Sequence, residues 1–211
     1  MLRTFLHLFT RPEVVIGGYI EGVRKRYLNP ISYLGIALTL SGIALFFLRK
    51  YALDKFDFSV LTAAGMDAAV TQKITLASLD FNSFVYILYI PILAIAGWLV
   101  FNKRKYHFPE YLVVGTYALA HFSIFTFPIT MTLLVAMPES YLNISYPMIL
   151  IMAFYATYVV NSINGGFAFG KSLLFLFCFA IGFLGIGILL NILFLVTGVL
   201  DIQDLIPNLA H

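Results

Sequence analysis

The chain has 211 residues, of which 61% are hydrophobic, 17% aromatic and only 11% charged, and its mean hydropathy is +0.94. Soluble domains carry about a quarter charged residues, so this composition excludes an ordinary soluble domain and indicates a chain embedded in a membrane. The formal net charge is only +3 and the basic residues stand in short clusters, so the composition also speaks against nucleic acid as a partner.

The first predicted element is an amphipathic helix within residues 1–29. Thr10-Arg11-Pro12-Glu13 has the form of a capping box, in which Thr10 is the N-cap and the Glu13 side chain reaches back to its amide. In the helix that follows, residues spaced four apart share an apolar face: Val15, Tyr19, Val23 and Tyr27. Such a helix either lies in the membrane interface or packs on its own bundle. Three consecutive basic residues are candidates for contact with the membrane surface or with a protein partner: Arg24, Lys25 and Arg26.

The same stretch carries a resemblance to a known family. Residues 4–12 lead into GYIEGVRKRY at 18–27 and NPISY at 29–33. This pattern resembles a bacterial membrane-protein family catalogued as domain of unknown function 3667, and its distinctive part covers residues 4–33. The resemblance implies a protein of the bacterial inner membrane and supplies no activity. Members of the family often carry a cysteine-based zinc ribbon ahead of this segment; it is lacking here, so metal-linked regulation is not expected.

Five apolar stretches are predicted to span the membrane. A span needs about 20 apolar residues to cross about 30 Å of hydrocarbon. The stretches contain no Asp, Glu, Lys or Arg, and they lie at about 31–48, 84–101, 111–137, 146–160 and 173–200. The fourth is short, and residues 165–169 are a candidate extension of it. The sequence therefore predicts an all-α polytopic transmembrane bundle over residues 30–211, with an outer loop at about 49–83 and a short surface helix near residues 60–70.

The distribution of basic residues predicts the orientation of the bundle. With the N-terminus in the cytoplasm, nine of the 13 basic residues lie on the cytoplasmic side and four outside. Because cytoplasmic loops carry the excess of Lys and Arg, this arrangement is favoured, and five spans then place the C-terminus outside.

The third predicted span holds the most deeply placed ionisable group, His121. Thr126 and Thr130 follow it, and Pro128 is expected to kink the helix. An intramembrane histidine suggests a proton relay or a polar path. The alternative is a neutral imidazole hydrogen-bonded to a neighbouring helix.

Small residues in the fifth and first spans predict close packing between them. Gly182 and Gly185 precede Asn191 in the fifth span, and Gly35 and Gly42 in the first are expected to form the facing groove. Asn191 either bonds across this interface or lines a pore.

Enzyme motifs are missing from the sequence. There is no His-Glu-x-x-His, no Gly-x-Ser-x-Gly and no Walker-type phosphate loop. One cysteine, Cys178, and four dispersed histidines offer no metal-ligand set. We therefore expect no enzymatic activity, no metal and no cofactor.

Two functional hypotheses remain. The leading one is passive permeation of a small solute or ion, by a single chain or a homo-oligomer, along a path lined by His121, Asn191, Thr126 and Thr130. The absence of charged groups in the spans argues against an ion-coupled pump. The rival is a membrane anchor or assembly module that recruits a protein partner through the basic N-terminal helix.

Overall fold

The structure, a computed structural model, describes residues 1–23, 25–56, 68–101 and 106–198. Within these ranges the regular elements are helical, as predicted for an all-α protein. The α-helices are α1 (Leu2–Thr10), α2 (Pro12–Ile20), α3 (Pro30–Phe47), α4 (Ala68–Asp80), α5 (Asn82–Phe101), α6 (Phe108–Ala136), α7 (Tyr141–Ile163) and α8 (Phe169–Val196).

Five helical stretches are long and apolar enough to cross a membrane, so the chain is an integral membrane protein. They are Pro30–Lys55, Phe84–Phe101, Phe108–Ala136, Asn143–Ile163 and Phe169–Val196. This confirms the predicted number of spans and their approximate positions. Two boundaries differ from the prediction. A π-helical turn and a 3₁₀ turn continue α3 as far as Lys55, so the predicted outer loop begins later than Arg49.

The second difference concerns the fourth span. Its helix starts at Tyr141 and ends at Ile163, which makes it long enough to cross without the predicted extension. Gly165 and Gly166 then adopt φ values of +97° and +111°, a region that side chains with a Cβ rarely occupy. The extension through residues 165–169 is therefore wrong, because this backbone turns the chain back into α8.

The third span, α6, lies at the centre of the bundle and packs on α3, α5 and α7, while α8 packs on α5 and α7. A glycine permits one close approach between the backbones of α5 and α6. A Cβ added at Gly115 would lie 3.0 Å from the Ile90 carbonyl oxygen and 3.4 Å from the Leu93 Cβ. The backbones of α5 and α6 therefore meet where α6 has no side chain.

The N-terminal segment, residues 1–29, forms two short helices instead of one long one. Thr10 ends α1 and its hydroxyl donates to the Leu6 carbonyl at 3.2 Å. Since Arg11 occupies the N-cap position of α2 without a side-chain bond, the predicted capping box is wrong. The predicted face through Tyr27 is also wrong, because α2 ends at Ile20 and Gly22 turns the chain at φ +94°.

The segment packs on its own bundle, which was one of the two alternatives. Leu8, Val15 and Ile16 are fully buried in the main core, whereas Leu2 and Leu6 on the other side of α1 are exposed. The helix α1 thus lays one face on the bundle and also presents apolar side chains on its outer face.

The two ends of the bundle are named by what they carry. The N-terminal face carries residues 1–29 and the helix ends at Phe101, Phe108, Ile163 and Phe169; the opposite face carries the other ends. At the opposite face Arg49 pairs with Asp80 at 2.7 Å, and α4 packs on α8 through Ala77 and Phe194. Most of the predicted surface helix near 60–70 lies outside the described residues.

Candidate functional site

His121 lies in the interior of the bundle, where the N-terminal segment meets α6. Its side chain is 0% exposed, and its Nδ1 is 2.8 Å from the Tyr33 hydroxyl on α3. Two rings from α1 pack against it: the centroids of Phe5 and Phe9 are 4.9 Å and 4.3 Å from the imidazole. Its Nε2 has no hydrogen-bond partner among the described residues. This geometry matches the alternative of an imidazole bonded to a neighbouring helix.

Two tyrosines of α7 hold the end of α1. The Tyr155 hydroxyl donates to the Leu8 carbonyl at 3.1 Å, and the Tyr158 hydroxyl donates to the Phe9 carbonyl at 2.9 Å. The last carbonyls of a helix lack a partner within the helix, and α1 ends at Thr10. Side chains from a span therefore supply the caps that α1 cannot supply itself.

The connection between α2 and α3 is held in the same way. Tyr117 of α6 donates from its hydroxyl to the Leu28 carbonyl at 2.6 Å, and the Leu28 amide donates to the Thr4 hydroxyl at 3.0 Å. The Tyr27 hydroxyl is 2.8 Å from Nδ1 of His7. Hydrogen bonds thus hold α1 and the loop after α2, while α2 itself is held by the burial of Val15 and Ile16 in the core.

The contacts of these tyrosines were not predicted from the sequence, although a signal was present. Tyr117 and Tyr155 stand well inside apolar spans, whereas aromatic belts lie at span ends. A hydroxyl buried in an apolar region needs a hydrogen-bond partner. A tyrosine in that position therefore indicates a contact with another part of the chain.

Basic side chains remain outside this contact. Arg3, Lys25 and Arg26 are exposed, and the guanidinium carbons of Arg3 and Arg26 lie 5.8 Å and 5.5 Å from the centre of the Tyr27 ring. At such distances both guanidinium groups are attracted to the Tyr27 ring by a cation–π interaction. We call Arg3, Lys25, Arg26 and Tyr27 the basic surface. Arg24, predicted to act with Lys25 and Arg26, lies outside the described residues.

A cavity of about 400 Å³, the N-terminal pocket, opens beside this surface. Its walls come from α2, the loop after it and the turn between α7 and α8. Its charged and hydroxyl-bearing lining residues are Glu13, Glu21, Arg26, Tyr27, Tyr106 and Ser162. Within the described part of the chain, no ion pair joins Arg26 to either glutamate. The pocket is therefore lined by one positive and two negative side chains that do not pair with each other.

Two of the predicted path residues line a different cavity, which we call the opposite cavity. Thr126 and Thr130 border a space of about 290 Å³ whose wall extends to Leu48 and Tyr141 near the opposite face. The hydroxyl of Thr126 donates to the Phe122 carbonyl of its own helix at 2.9 Å. His121 instead borders a separate cavity of about 70 Å³, together with Phe9 of α1.

Asn191 and the predicted packing glycines do not join these residues. The Asn191 amide donates to the Gly187 carbonyl of its own helix at 2.8 Å. A Cβ added at Gly182 would lie 2.5 Å from Cγ2 of Ile92 on α5, so the partner of this glycine is the second span. At Gly35, Gly42 and Gly185 an added Cβ would meet no atom within 4 Å. The predicted groove between the first and fifth spans is therefore wrong.

A protein-family model matches this same segment of the chain. Residues 1–42 match the model of a family described as a protein of unknown function, DUF3667. The comparisons with curated proteins and with solved structures gave no match. The matched stretch covers α1, α2, the loop after them and the first two-thirds of α3. It is the part of the chain that Tyr117, Tyr155 and Tyr158 hold and that carries the basic surface.

Proposed function

We propose that the protein is a membrane-anchored interaction module that recruits an acidic protein partner to its basic surface. The observation that carries this proposal is the docking of residues 1–29 on the spans, with Arg3, Lys25 and Arg26 left exposed. A surface fixed in advance loses little conformational entropy when a partner binds it. Positive charge on such a surface would attract acidic segments and exclude basic ones.

Permeation is less well supported as the function of a single chain. A path needs polar groups that follow one another across the bundle. His121 is engaged by Tyr33 and by the rings of α1, and Asn191 is engaged by its own helix. These bonds use Nδ1 of His121 and the side-chain amide of Asn191 inside the protein, as expected of isolated polar residues in a bilayer.

The partner is proposed to lie in the cytoplasm of a bacterium. In the sequence, nine of the 13 basic residues fall on the side predicted to be cytoplasmic, and this excess supports that orientation. The resemblance of residues 4–33 to a bacterial family supports the inner membrane as the location.

A site-specific crosslinking experiment tests the proposal. A photoreactive residue is placed at Val23, which is 51% exposed beside the basic surface, and adducts are collected from native membranes. We expect one dominant adduct that is lost when Arg3 and Lys25 are both changed to Glu. Charge reversal at Lys50, an exposed lysine that lies over the Phe46 and Tyr51 rings, serves as the control and should leave the adduct unchanged. An adduct that survives reversal of the basic surface contradicts the proposal.

Charge reversal near a span can also invert a membrane protein, so the orientation is read in the same samples. A cysteine placed at Arg11, which is exposed, is labelled with an impermeant maleimide from either side, in a Cys178→Ser background. Only samples with the parental orientation enter the comparison.

A second candidate, permeation, is favoured by one observation. The opposite cavity is lined by hydroxyl-bearing residues from four helices: Ser41, Tyr86, Ser123, Thr126, Thr130 and Tyr141. The Thr126→Val/Thr130→Val variant tests it in liposomes that hold the purified protein. Solute flux that is present in the parent and lost in this variant would favour permeation over the interaction module.

A further inference from the structure

Two cavities of different chemistry meet at Ser162, in the last turn of α7. One is the N-terminal pocket, and Ser162 is part of its wall. The other, which we call the groove, has a volume of about 590 Å³ and lies between the last part of α7 and the first part of α8. Ser162 borders the groove as well. A polar space and a larger neighbouring space therefore share one wall residue.

The groove is walled by apolar side chains that belong to two spans. Phe154, Phe169 and Leu173 are among its lining residues and are 61%, 75% and 61% exposed. Both flanking helices are membrane spans, Asn143–Ile163 and Phe169–Val196. In a bilayer the groove therefore opens sideways to lipid rather than to water.

The polar residues on the floor of the groove are already satisfied. The Asn161 amide donates to the Thr157 carbonyl at 2.8 Å and to the Ser172 hydroxyl at 2.9 Å, and its oxygen accepts from the Ala168 amide at 3.1 Å. The Ser172 hydroxyl in turn donates to the Ala168 carbonyl at 2.9 Å. Because these groups are used within the protein, the groove suits a hydrocarbon chain better than a polar ligand.

The N-terminal pocket has the charges that a zwitterionic headgroup needs. The Arg26 guanidinium is a planar donor suited to phosphate, and Glu13 and Glu21 are acceptors suited to an ammonium group. These three charged side chains form no ion pair with one another in the residues that the structure describes. At Gly17, which also borders the pocket, an added Cβ would meet no atom within 4 Å, so bare backbone faces open space there.

We infer that the pocket and the groove together bind one phospholipid whose headgroup carries a primary amine. One acyl chain lies in the groove, the headgroup lies in the pocket, and the glycerol region passes Ser162. Arg26 binds the phosphate, and Glu13 and Glu21 bind the ammonium group. This inference does not rest on the proposed recruitment of a protein partner. The two proposals share Arg26, but the recruitment test reverses Arg3 and Lys25 and leaves Arg26 in place, so either proposal can fail alone.

Retention of matched lipids by the full-length protein tests the inference. Purified protein is equilibrated with mixed micelles holding equal amounts of phosphatidylethanolamine and phosphatidylglycerol with identical acyl chains, and bound lipid is counted by native mass spectrometry. We expect one phosphatidylethanolamine for each chain. Arg26→Gln removes a charge-assisted bond and should weaken its retention roughly tenfold. Arg11→Gln, an exposed arginine outside the pocket wall, is the matched control.

A second pair of variants addresses the groove. Leu173→Trp fills the groove and should also reduce retention, whereas Leu184→Trp, at a residue 63% exposed elsewhere on α8, should not. Equal retention of phosphatidylglycerol would overturn the amine assignment. Retention unchanged in both Arg26→Gln and Leu173→Trp would overturn the site itself. A change of oligomeric state in Leu173→Trp, with lipid retention intact, would show that a second copy of the chain occupies the groove and would also overturn the inference.

Discussion

The tyrosines at the N-terminal face and the short polar residues toward the opposite face use their polar groups differently. At the N-terminal face, hydroxyl groups join distant parts of the chain: Tyr117 reaches Leu28 across 89 positions, and Tyr158 reaches Phe9 across 149. Toward the opposite face, Thr132 and Thr197 donate to carbonyls four positions earlier in their own helices. Asn191 does the same.

The length of the side chain explains the difference. Ser, Thr and Asn are short enough to bond to the preceding turn of their own helix. The hydroxyl of Tyr lies at the far end of a rigid ring and bonds to groups on other elements. A Thr or Asn inside a span is therefore weak evidence for a polar path, whereas a Tyr deep in a span is good evidence for a tertiary contact. Five variants probe these contacts and the packing around them, and they are described in decreasing order of their expected effect on stability.

His121→Ala is expected to have the largest effect. The change leaves the Tyr33 hydroxyl without its partner and removes a ring that packs on Phe5 and Phe9. Loss of a buried bond and of packing together should cost roughly 2–4 kcal/mol of unfolding free energy. Chemical denaturation in detergent, followed by tryptophan fluorescence of Trp98, measures it. A stability equal to that of the parent would mean that His121 is not part of the docking contact.

The double variant Tyr155→Phe/Tyr158→Phe is expected to have the second-largest effect on stability. It removes only the two hydroxyls that cap α1, and each lost bond should cost about 1 kcal/mol. Hydrogen exchange in α1 should therefore speed up while exchange in α8 stays unchanged. Tyr51→Phe, at a tyrosine 54% exposed near the opposite face, is the control. Equal effects of the two changes would remove the distinction between the two ends.

Gly182→Ala and Gly185→Ala form a matched pair with opposite expected signs. The new methyl group at position 182 meets Ile92, so its neighbours must shift, whereas position 185 is open. We expect Gly182→Ala to destabilise by about 1 kcal/mol through overpacking and Gly185→Ala to be neutral or slightly stabilising, since Ala favours the helix. The melting temperatures of the two variants and of the parent, measured under the same conditions, give the sign of each change. The same sign for both would contradict the assignment of Gly182 to the α5 contact.

Thr126→Val is expected to have the smallest effect on stability. Its hydroxyl bonds only to its own helix, and Val keeps the shape of the side chain, so the change should lie within about 0.5 kcal/mol. Denaturation under the same conditions as for His121→Ala gives the comparison. A loss as large as that of His121→Ala would show that Thr126 takes part in tertiary structure.

Hydropathy was sufficient to predict the five spans, because the length and composition of each span follow from the thickness of the bilayer. The start of the fourth span was predicted less accurately. A polar residue such as Asn143 lowers the local hydropathy there, but it does not interrupt the helix. The break between α1 and α2 was not predicted, because a single helix was expected to begin after Thr10 as its N-cap, whereas residues 2–10 form a helix of their own.

Partners across the bundle were not predictable from one sequence. His121 and Tyr33 lie 88 positions apart, and nothing in the spacing along either helix indicates that they meet. The same holds for Gly182, whose partner is on α5 rather than on α3 as expected. Periodicity identifies which residues share a face of one helix, but the choice of facing helix depends on the packing of the whole bundle.

The docking of residues 1–29 on the spans can be tested by thiol accessibility. In a Cys178→Ser background, single cysteines replace Leu8, which is 0% exposed, and Val23, which is 51% exposed, and a small maleimide is applied in detergent. If the segment is docked, labelling at Leu8→Cys should be roughly tenfold slower than at Val23→Cys, which corresponds to a protection of about 1.4 kcal/mol. The double variant Tyr155→Phe/Tyr158→Phe should speed up labelling at position 8. Equal labelling rates at both positions in the parental protein would contradict the docked segment.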